Sequence, residues 1–286
     1  MKYRHSYHAG NFADVHKHVT LLALLTALKK KDKGFQFLDT HAGRGSYDLS
    51  GPSPEAAAGI GRFAQTGHRA DELRQYAALL GRFRARHGHG HLYPGSPLIA
   101  ASELRPQDRA IFIELLGAEA HALQSALAAP GAARAAEAPV RVERGDGFER
   151  LRAYLPPPQR RGLIFIDPPY EEAAQDFAEL AGALADGLRR FATGVFMAWY
   201  PIKDERATTA WLRRAASALP APALVSELWL YPRDSRVSLN GSGILIANPP
   251  WRVQERMSEW LPELQACLGV GPAGGTAVRM LSQSSG

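Results

Sequence analysis

The chain has 286 residues, 45% hydrophobic and 22% charged, with a formal net charge of +6. That length and balance fit one large α/β domain carrying an insertion, and the modest basic excess suits an anionic partner. A single cysteine, Cys267, excludes an internal disulfide framework and a cysteine zinc cluster and fits a reducing cytoplasm.

Residues 1–18, MKYRHSYHAGNFADVHKH, are dense in aromatic and basic groups. Met1-Lys2-Tyr3-Arg4-His5 leads into polar residues and not into the apolar core of a signal peptide, so a cytoplasmic location is expected. Tyr3, His5, Tyr7 and His8 read as an extended arm, or else as a plain surface tail. Asn11 and Asp14 resemble a capping box, which predicts a helix from about Phe12 to Lys29-Lys30-Lys31, where cations suit its carboxyl end. Lys17 and His18 lie early on that helix, where the plain alternative to a functional role is a solvated face. Its apolar run, Val19 to Leu28, is too short to span a bilayer.

Phe35 to Asp39 is the first expected strand, followed by the loop Thr40-His41-Ala42-Gly43-Arg44-Gly45-Ser46-Tyr47. Its glycines let a ligand approach the backbone, although the loop alone does not specify one. Residues 48–92 pattern as a solvated, basic helical insertion. In Tyr93-Pro94-Gly95-Ser96-Pro97, Ser96 is placed as a helix N-cap with Pro97 at the first helical position. A second strand, Ala110 to Glu114, ends in an acid, where nucleoside-binding sheets hold ribose hydroxyls. Val140 to Glu143 is a third strand, and Arg144-Gly145-Asp146-Gly147-Phe148 puts another acid at its end.

The fourth strand, 161–167, stops at Asp167-Pro168-Pro169-Tyr170, because two prolines cannot continue a sheet ladder. This tetrapeptide has a chemical meaning. The exocyclic amine of a base is a poor nucleophile, its lone pair being delocalised into the ring. A carboxylate taking one N–H and the Pro168 carbonyl taking the other draw the nitrogen towards tetrahedral geometry, while the Tyr170 face stacks on the base. The constellation resembles the amino-methyltransferase motif for N6 of adenine or N4 of cytosine. Helices over 171–190 and 204–218 and strands at 194–199, 223–231 and 243–248 complete a doubly wound, mostly parallel seven-stranded sheet with an antiparallel last strand. Residues 269–286 read as a flexible tail. Asn248-Pro249-Pro250-Trp251 repeats the motif's pattern. It follows the last strand, whereas Asp167 follows the strand beside the first, across the switch point. Asp167 is therefore taken as the active acid and Asn248 as a turn or pocket wall.

Taken in order, YRHSYHAGNFADVHKH, FLDTHAGRGSY, YPGSP, FIEL, RGDGF, RRGLIFIDPPY, FATG, AWYP and NPPW resemble the RlmJ family, over nearly the whole chain apart from the tail. The resemblance implies a class I Rossmann-like fold with an inserted helical subdomain, acting as a monomer, and N6 methylation of adenine 2030 in 23S ribosomal RNA. It implies S-adenosylmethionine as methyl donor, held by His18, His41, Ser96, Glu114, Asp146, Gly147 and Asp167. It also puts Tyr3, His5 and Lys17 near the target base, where Lys17 is expected to meet a flanking phosphate. The expected division is 1–47, the insertion 48–92, 93–268 and the tail 269–286. Direct transfer from a sulfonium needs no metal and no cysteine nucleophile. A DNA N6-adenine methyltransferase, or a non-catalytic nucleic-acid-binding module on this fold, are the alternatives.

Overall fold

The computed structural model describes residues 7–281 except 89, 130–137, 172, 234, 236 and 238. Helix α1 (Phe12–Lys29) starts where the Asn11 side chain accepts from the Asp14 N–H at 2.9 Å, and Asp14 accepts from Gly10 N at 2.9 Å. The capping box therefore closes one residue earlier than its sequence pattern suggests. Residues 12–22 are all buried, so α1 is a central helix. Lys17 and His18 are 4% and 2% exposed, which excludes the alternative of a solvated face.

Strand β1 (Gln36–Asp39) leads into a short ribbon made by β2 (Ser46–Asp48) and β3 (Leu92–Pro94), which pair antiparallel with Tyr47 opposite Tyr93. Between them lie α2 (Pro54–Ala56), a π turn (Ala57–Gly61), α3 (Arg62–Gln65) and α4 (Asp71–His87). Arg74, Arg82 and Arg86 of α4 face solvent, but its other face carries Leu73, Tyr76, Leu79, Leu80 and Phe83 into the main core. The chain continues through α5 (Ser96–Glu103), β4 (Arg109–Glu114), α6 (Gly117–Ala128), β5 (Val140–Arg144), α7 (Gly147–Leu151), β6 (Gly162–Ile166), α8 (Ala173–Arg190) and β7 (Val195–Ile202). It closes with α9 (Glu205–Ala218), β8 (Ala223–Trp229), β9 (Gly241–Ala247), α10 (Val253–Leu268) and β10 (Gly275–Met280). Glu263 of α10 accepts the Arg69 and Ala70 N–H groups, and Arg256 donates to Glu72 at 2.6 Å, so the insertion is tied to the last helix.

The main sheet runs β10-β8-β9-β7-β6-β1-β4-β5. Pairing is parallel from β7 to β5, and β9 lies antiparallel between β7 and β8. The sheet has eight strands instead of seven. The extra one, β10, comes from the supposed tail and pairs antiparallel with β8. The Gly-rich approach at 269–275 hid a short alternating strand, Thr276-Ala277-Val278-Arg279-Met280, which covers an edge that would otherwise be open.

Side-chain alternation divides the core between the two faces of the sheet. Phe37, Phe165 and Met197 pack in the cluster that contains α1, α5 and α10, whereas Leu38, Ile164, Ile166 and Ala198 join the cluster of α8 and α9. Counting on by one residue, Asp167 and Trp199 project on the α1 side. Ala247 pairs with Phe196 at the start of β7, so Asn248 lies at the amino edge of the parallel strands, away from Asp167. Its amide donates to the carbonyls of Ala192 and Gly194 at 2.7 and 2.9 Å, which fixes a turn at φ +52°. Among the described residues, no helix is long and apolar enough to cross a membrane.

Candidate active site

Four adjacent parallel strands, β5, β4, β1 and β6, deliver acids to one edge of the sheet. The Glu114 carboxylate accepts Gly43 N–H on one oxygen and Leu116 N–H on the other, both at 2.8 Å. It thereby holds the glycine loop, whose Gly43 has φ +64°, against the end of β4. Asp146 caps α7, its Oδ1 accepting the N–H groups of Phe148 and Glu149 at 2.9 and 3.1 Å. A Cβ at Gly147 would stand 2.0 Å from the Thr40 carbonyl oxygen, so only glycine lets α7 begin this close to the end of β1. Carboxylates with spare lone pairs beside a loop without side chains suit the hydroxyls and amino group of a nucleoside.

Asp39, fully buried at the end of β1, accepts from the Ser96 hydroxyl at 2.7 Å and from His41 N–H at 3.2 Å. Burial pushes its carboxyl up to about 7, and Asp167 adds to the rise while Lys17 opposes it. Ser96 is the first residue of α5, with Gly95 as the cap, so its hydroxyl serves Asp39 and not the helix end. His41 is brought down to about 4 by burial and is neutral. Thr40 gives its hydroxyl proton to the Phe165 carbonyl and accepts from His41 Nδ1 at 2.8 Å.

The raised acid gives a pH signature. Asp39 titrates near 3.8 when unfolded and near 7 when folded, so the folded state binds the proton more tightly. Stability is greatest below the unfolded value and is lost as pH rises through about 7. Thermal melts should show the wild type losing stability between pH 5 and 8, by at most about 3 kcal/mol, with Asp39→Asn markedly flatter. Parallel curves for the two proteins would sink this assignment.

Asp167 follows β6 directly, and its Oδ2 accepts from Lys17 Nζ at 2.5 Å. The same ammonium lies 2.9 Å from Asp14 and 5.2 Å from the centre of the Trp199 ring. Lys17, expected at a phosphate, is thus buried between two carboxylates. Tyr170 donates to the Trp199 carbonyl at 2.7 Å, and its ring packs on Phe177 and edge-on to Trp199. His18 Nδ1 lies 2.8 Å from the Tyr93 hydroxyl.

The structure therefore gathers His41, Ser96, Glu114, Asp146, Gly147, Asp167 and Lys17 at or beside one sheet edge. Tyr3 and His5 lie outside the described residues. From the sequence, Asp14 reads only as a cap, Asp39 only as the end of the first strand and start of the 39–45 loop, and Trp199 only as a strand end. Asp39 had a usable signal, since it too is an acid closing a strand.

Strand order, glycine loop, strand-end acids and the Asp-Pro-Pro-Tyr turn define a methyltransferase of the Rossmann-like class. The family model described as ribosomal RNA large subunit methyltransferase D, RlmJ, matches residues 32–281, and the chain belongs to that family. It is 39% identical to ribosomal RNA large subunit methyltransferase J of Escherichia coli and 36% identical to that of Haemophilus influenzae, each over 94% of both chains. A crystal structure of a Legionella pneumophila protein superposes with a TM-score of 0.84 at 33% identity, covering 97% of this chain and 99% of the other.

Proposed function

We propose that this methyltransferase transfers a methyl group from S-adenosylmethionine to N6 of adenine 2030 in 23S ribosomal RNA. The observation that carries the reading is the Asp167 carboxylate, placed beside the β1 loop on the edge where the other acids converge. When bound, S-adenosylmethionine supplies an electrophilic methyl on a sulfonium. Glu114 would hold its ribose, Asp146 Oδ2 its adenine amino group, and the 39–45 loop with His18, His41 and Ser96 its methionine end. Near neutral pH, Asp39 is close to its midpoint, and Lys17 alone faces the two carboxylates of Asp14 and Asp167. That leaves a local excess of about one negative charge, which suits a cation.

In the reaction, Asp167 and the Pro168 carbonyl take the two amine hydrogens. With the donor bound, these two acceptors would aim the N6 lone pair at its methyl group, and the amine proton, acidic only as the methyl arrives, would leave along its hydrogen bond to Asp167 and pass on to solvent. Before the amine reaches Asp167, Lys17 must yield Oδ2, and Asp14 remains as its partner. Most of the acceleration comes from positioning and polarisation. Tyr170, tied to the Trp199 backbone, fixes the corner in which the base sits. Tyr3 and His5 would close over the flipped base. Deleting residues 1–5 should lower RNA methylation sharply while leaving cofactor affinity nearly unchanged, and a matched loss in both would put the arm in the cofactor site.

Glu114→Ala should weaken S-adenosylmethionine binding at least about tenfold, since each charge-assisted bond contributes roughly 1.5–3 kcal/mol and the loop loses its anchor. Unchanged calorimetric affinity would rule out the ribose role. The reading as a whole is tested by incubating the protein and labelled cofactor with deproteinised ribosomal RNA and with DNA, then mapping the methylated nucleoside. N6-methyladenosine at one RNA position supports it, and methylation of DNA alone overturns it.

A further inference from the structure

The α1 face of the sheet is apolar except for a line of buried polar groups that leads to the active site. His16, Ser226 and Ser242 are completely buried there. His16 bridges the two serines, Nδ1 to the Ser242 hydroxyl and Nε2 to that of Ser226, both at 3.0 Å. Ser242 accepts the Trp199 indole N–H at 3.0 Å. The register explains the contact: Pro201 pairs with Ser242 and Trp199 with Ile244, so Ser242 is the diagonal neighbour of Trp199 on the same face. Burial pulls the His16 imidazole down to about 3, so it is a neutral hydrogen-bonding strut.

This line ends at an indole that stands beside the reacting carboxylate. Ile166 pairs with Ala198, so Asp167 and Trp199 are level on adjacent strands, about 4.8 Å apart in the pairing direction, and share the α1 side. Trp199 is partly exposed, and the Lys17 ammonium lies over its ring. Tyr170, also partly exposed, stands beside it, its hydroxyl on the Trp199 carbonyl and its ring at 71° to the indole. Trp199 therefore offers an aromatic face beside Asp167, and it is the one whose plane the polar line fixes. Apolar residues would pack this region without the cost of burying three polar side chains. What the polar line adds is a fixed orientation of one ring.

We propose that the Trp199 indole is the stacking wall for the target adenine, and that Ser242 and His16 are positioning residues that hold its plane. The proposal rests on the N6-adenine reading above. In the resting enzyme the Lys17 ammonium covers the ring and bonds Asp167 at once, and the incoming base takes both places, its face on the indole and its amine on the carboxylate. A purine ring on Trp199 thereby carries its exocyclic amine to Asp167, so one wall sets both grip and aim.

The test uses the full-length enzyme with a deproteinised 23S ribosomal RNA transcript. Turnover, cofactor affinity and melting are followed together, and a second transcript carries 2-aminopurine at the target position. Trp199→Leu should lower kcat/KM about ten- to hundredfold, mostly through KM, with cofactor affinity within about twofold of wild type. Trp199→Phe, which keeps a π face, should recover most of that loss. Ser242→Ala should give an intermediate loss, and its effect should not add to that of Trp199→Phe. Quenching of 2-aminopurine on binding should disappear in Trp199→Leu and weaken in Ser242→Ala, a signature that a merely structural role would not move.

A folded Trp199→Leu enzyme with unchanged kcat/KM overturns the proposal. Equal losses of cofactor affinity and RNA turnover overturn it too, by assigning the indole to the cofactor site. Should the leucine variant not fold, Ser242→Ala decides: unchanged kcat/KM and quenching overturn the proposal. Wild-type enzyme that forms no N6-methyladenosine overturns the underlying reading, whereas N6-methyladenosine formed undiminished by Trp199→Leu overturns this inference alone.

Discussion

Asp167→Ala should lower the rate of methyl transfer by a factor on the order of 10²–10³ or more while leaving a folded protein that still binds its cofactor. The rate effect follows from removing the one charged acceptor for the amine at the place where charge develops. The fold should survive because Lys17 keeps its 2.9 Å contact with Asp14, so no buried cation is stranded. Asp167→Asn, which retains shape but not charge, should also be severely impaired. Asn248→Ala is the contrast. It takes the donor from the Ala192 and Gly194 carbonyls and puts alanine at φ +52°, so it should cost about 1–3 kcal/mol of stability. It lies at the far edge of the sheet and should keep turnover within about twofold, since it touches nothing that binds in the transition state. Single-turnover formation of N6-methyladenosine, with a melt for each variant, reads both. A fatal Asn248→Ala in a folded protein would reverse the assignment of the two Pro-Pro motifs.

The choice between those motifs was legible in the sequence because strand order fixes which strand ends share an edge. Glu114, Asp146 and Asp167 were legible for the same reason, each being an acid closing an apolar run. The eighth strand was not: β10 has only six residues after a run of glycines, and its partner β8 is more than forty residues earlier. Composition of the surrounding segment outweighed a short alternating pattern. Lys17 was misplaced because helical periodicity separates faces only when one face meets water. Over residues 12–22 of α1, packed by the sheet, the insertion and α10, every face meets protein, and of the two carboxylates that hold Lys17 one, Asp167, lies 150 residues away. Trp199 and Ser242 share that difficulty, since the diagonal register that joins them is a property of the assembled sheet.

Lys17→Met should be the most destabilising single change at this site. The methionine matches the lysine stem in length but carries no charge, so Asp14 and Asp167 lose the cation between them, with Asp39 close by. The Asp14 and Lys17 side chains are only 2% and 5% exposed, so water offers little screening. Breaking a buried pair by removing one partner costs about 3–5 kcal/mol, and Asp167, at 15% exposure, retains some solvation, which favours the lower end. For a chain of this size about 3 kcal/mol corresponds to a fall of roughly 5 °C in melting temperature. Asp14→Asn in the same background should recover part of that loss, because it removes one of the stranded charges. Turnover should fall as well, since the cation that orients the Asp167 carboxylate is gone. A Lys17→Met protein that melts with the wild type would show that the 2.5 Å contact contributes nothing net to stability, and the account of Lys17 as the counter-ion of this site would have to be abandoned.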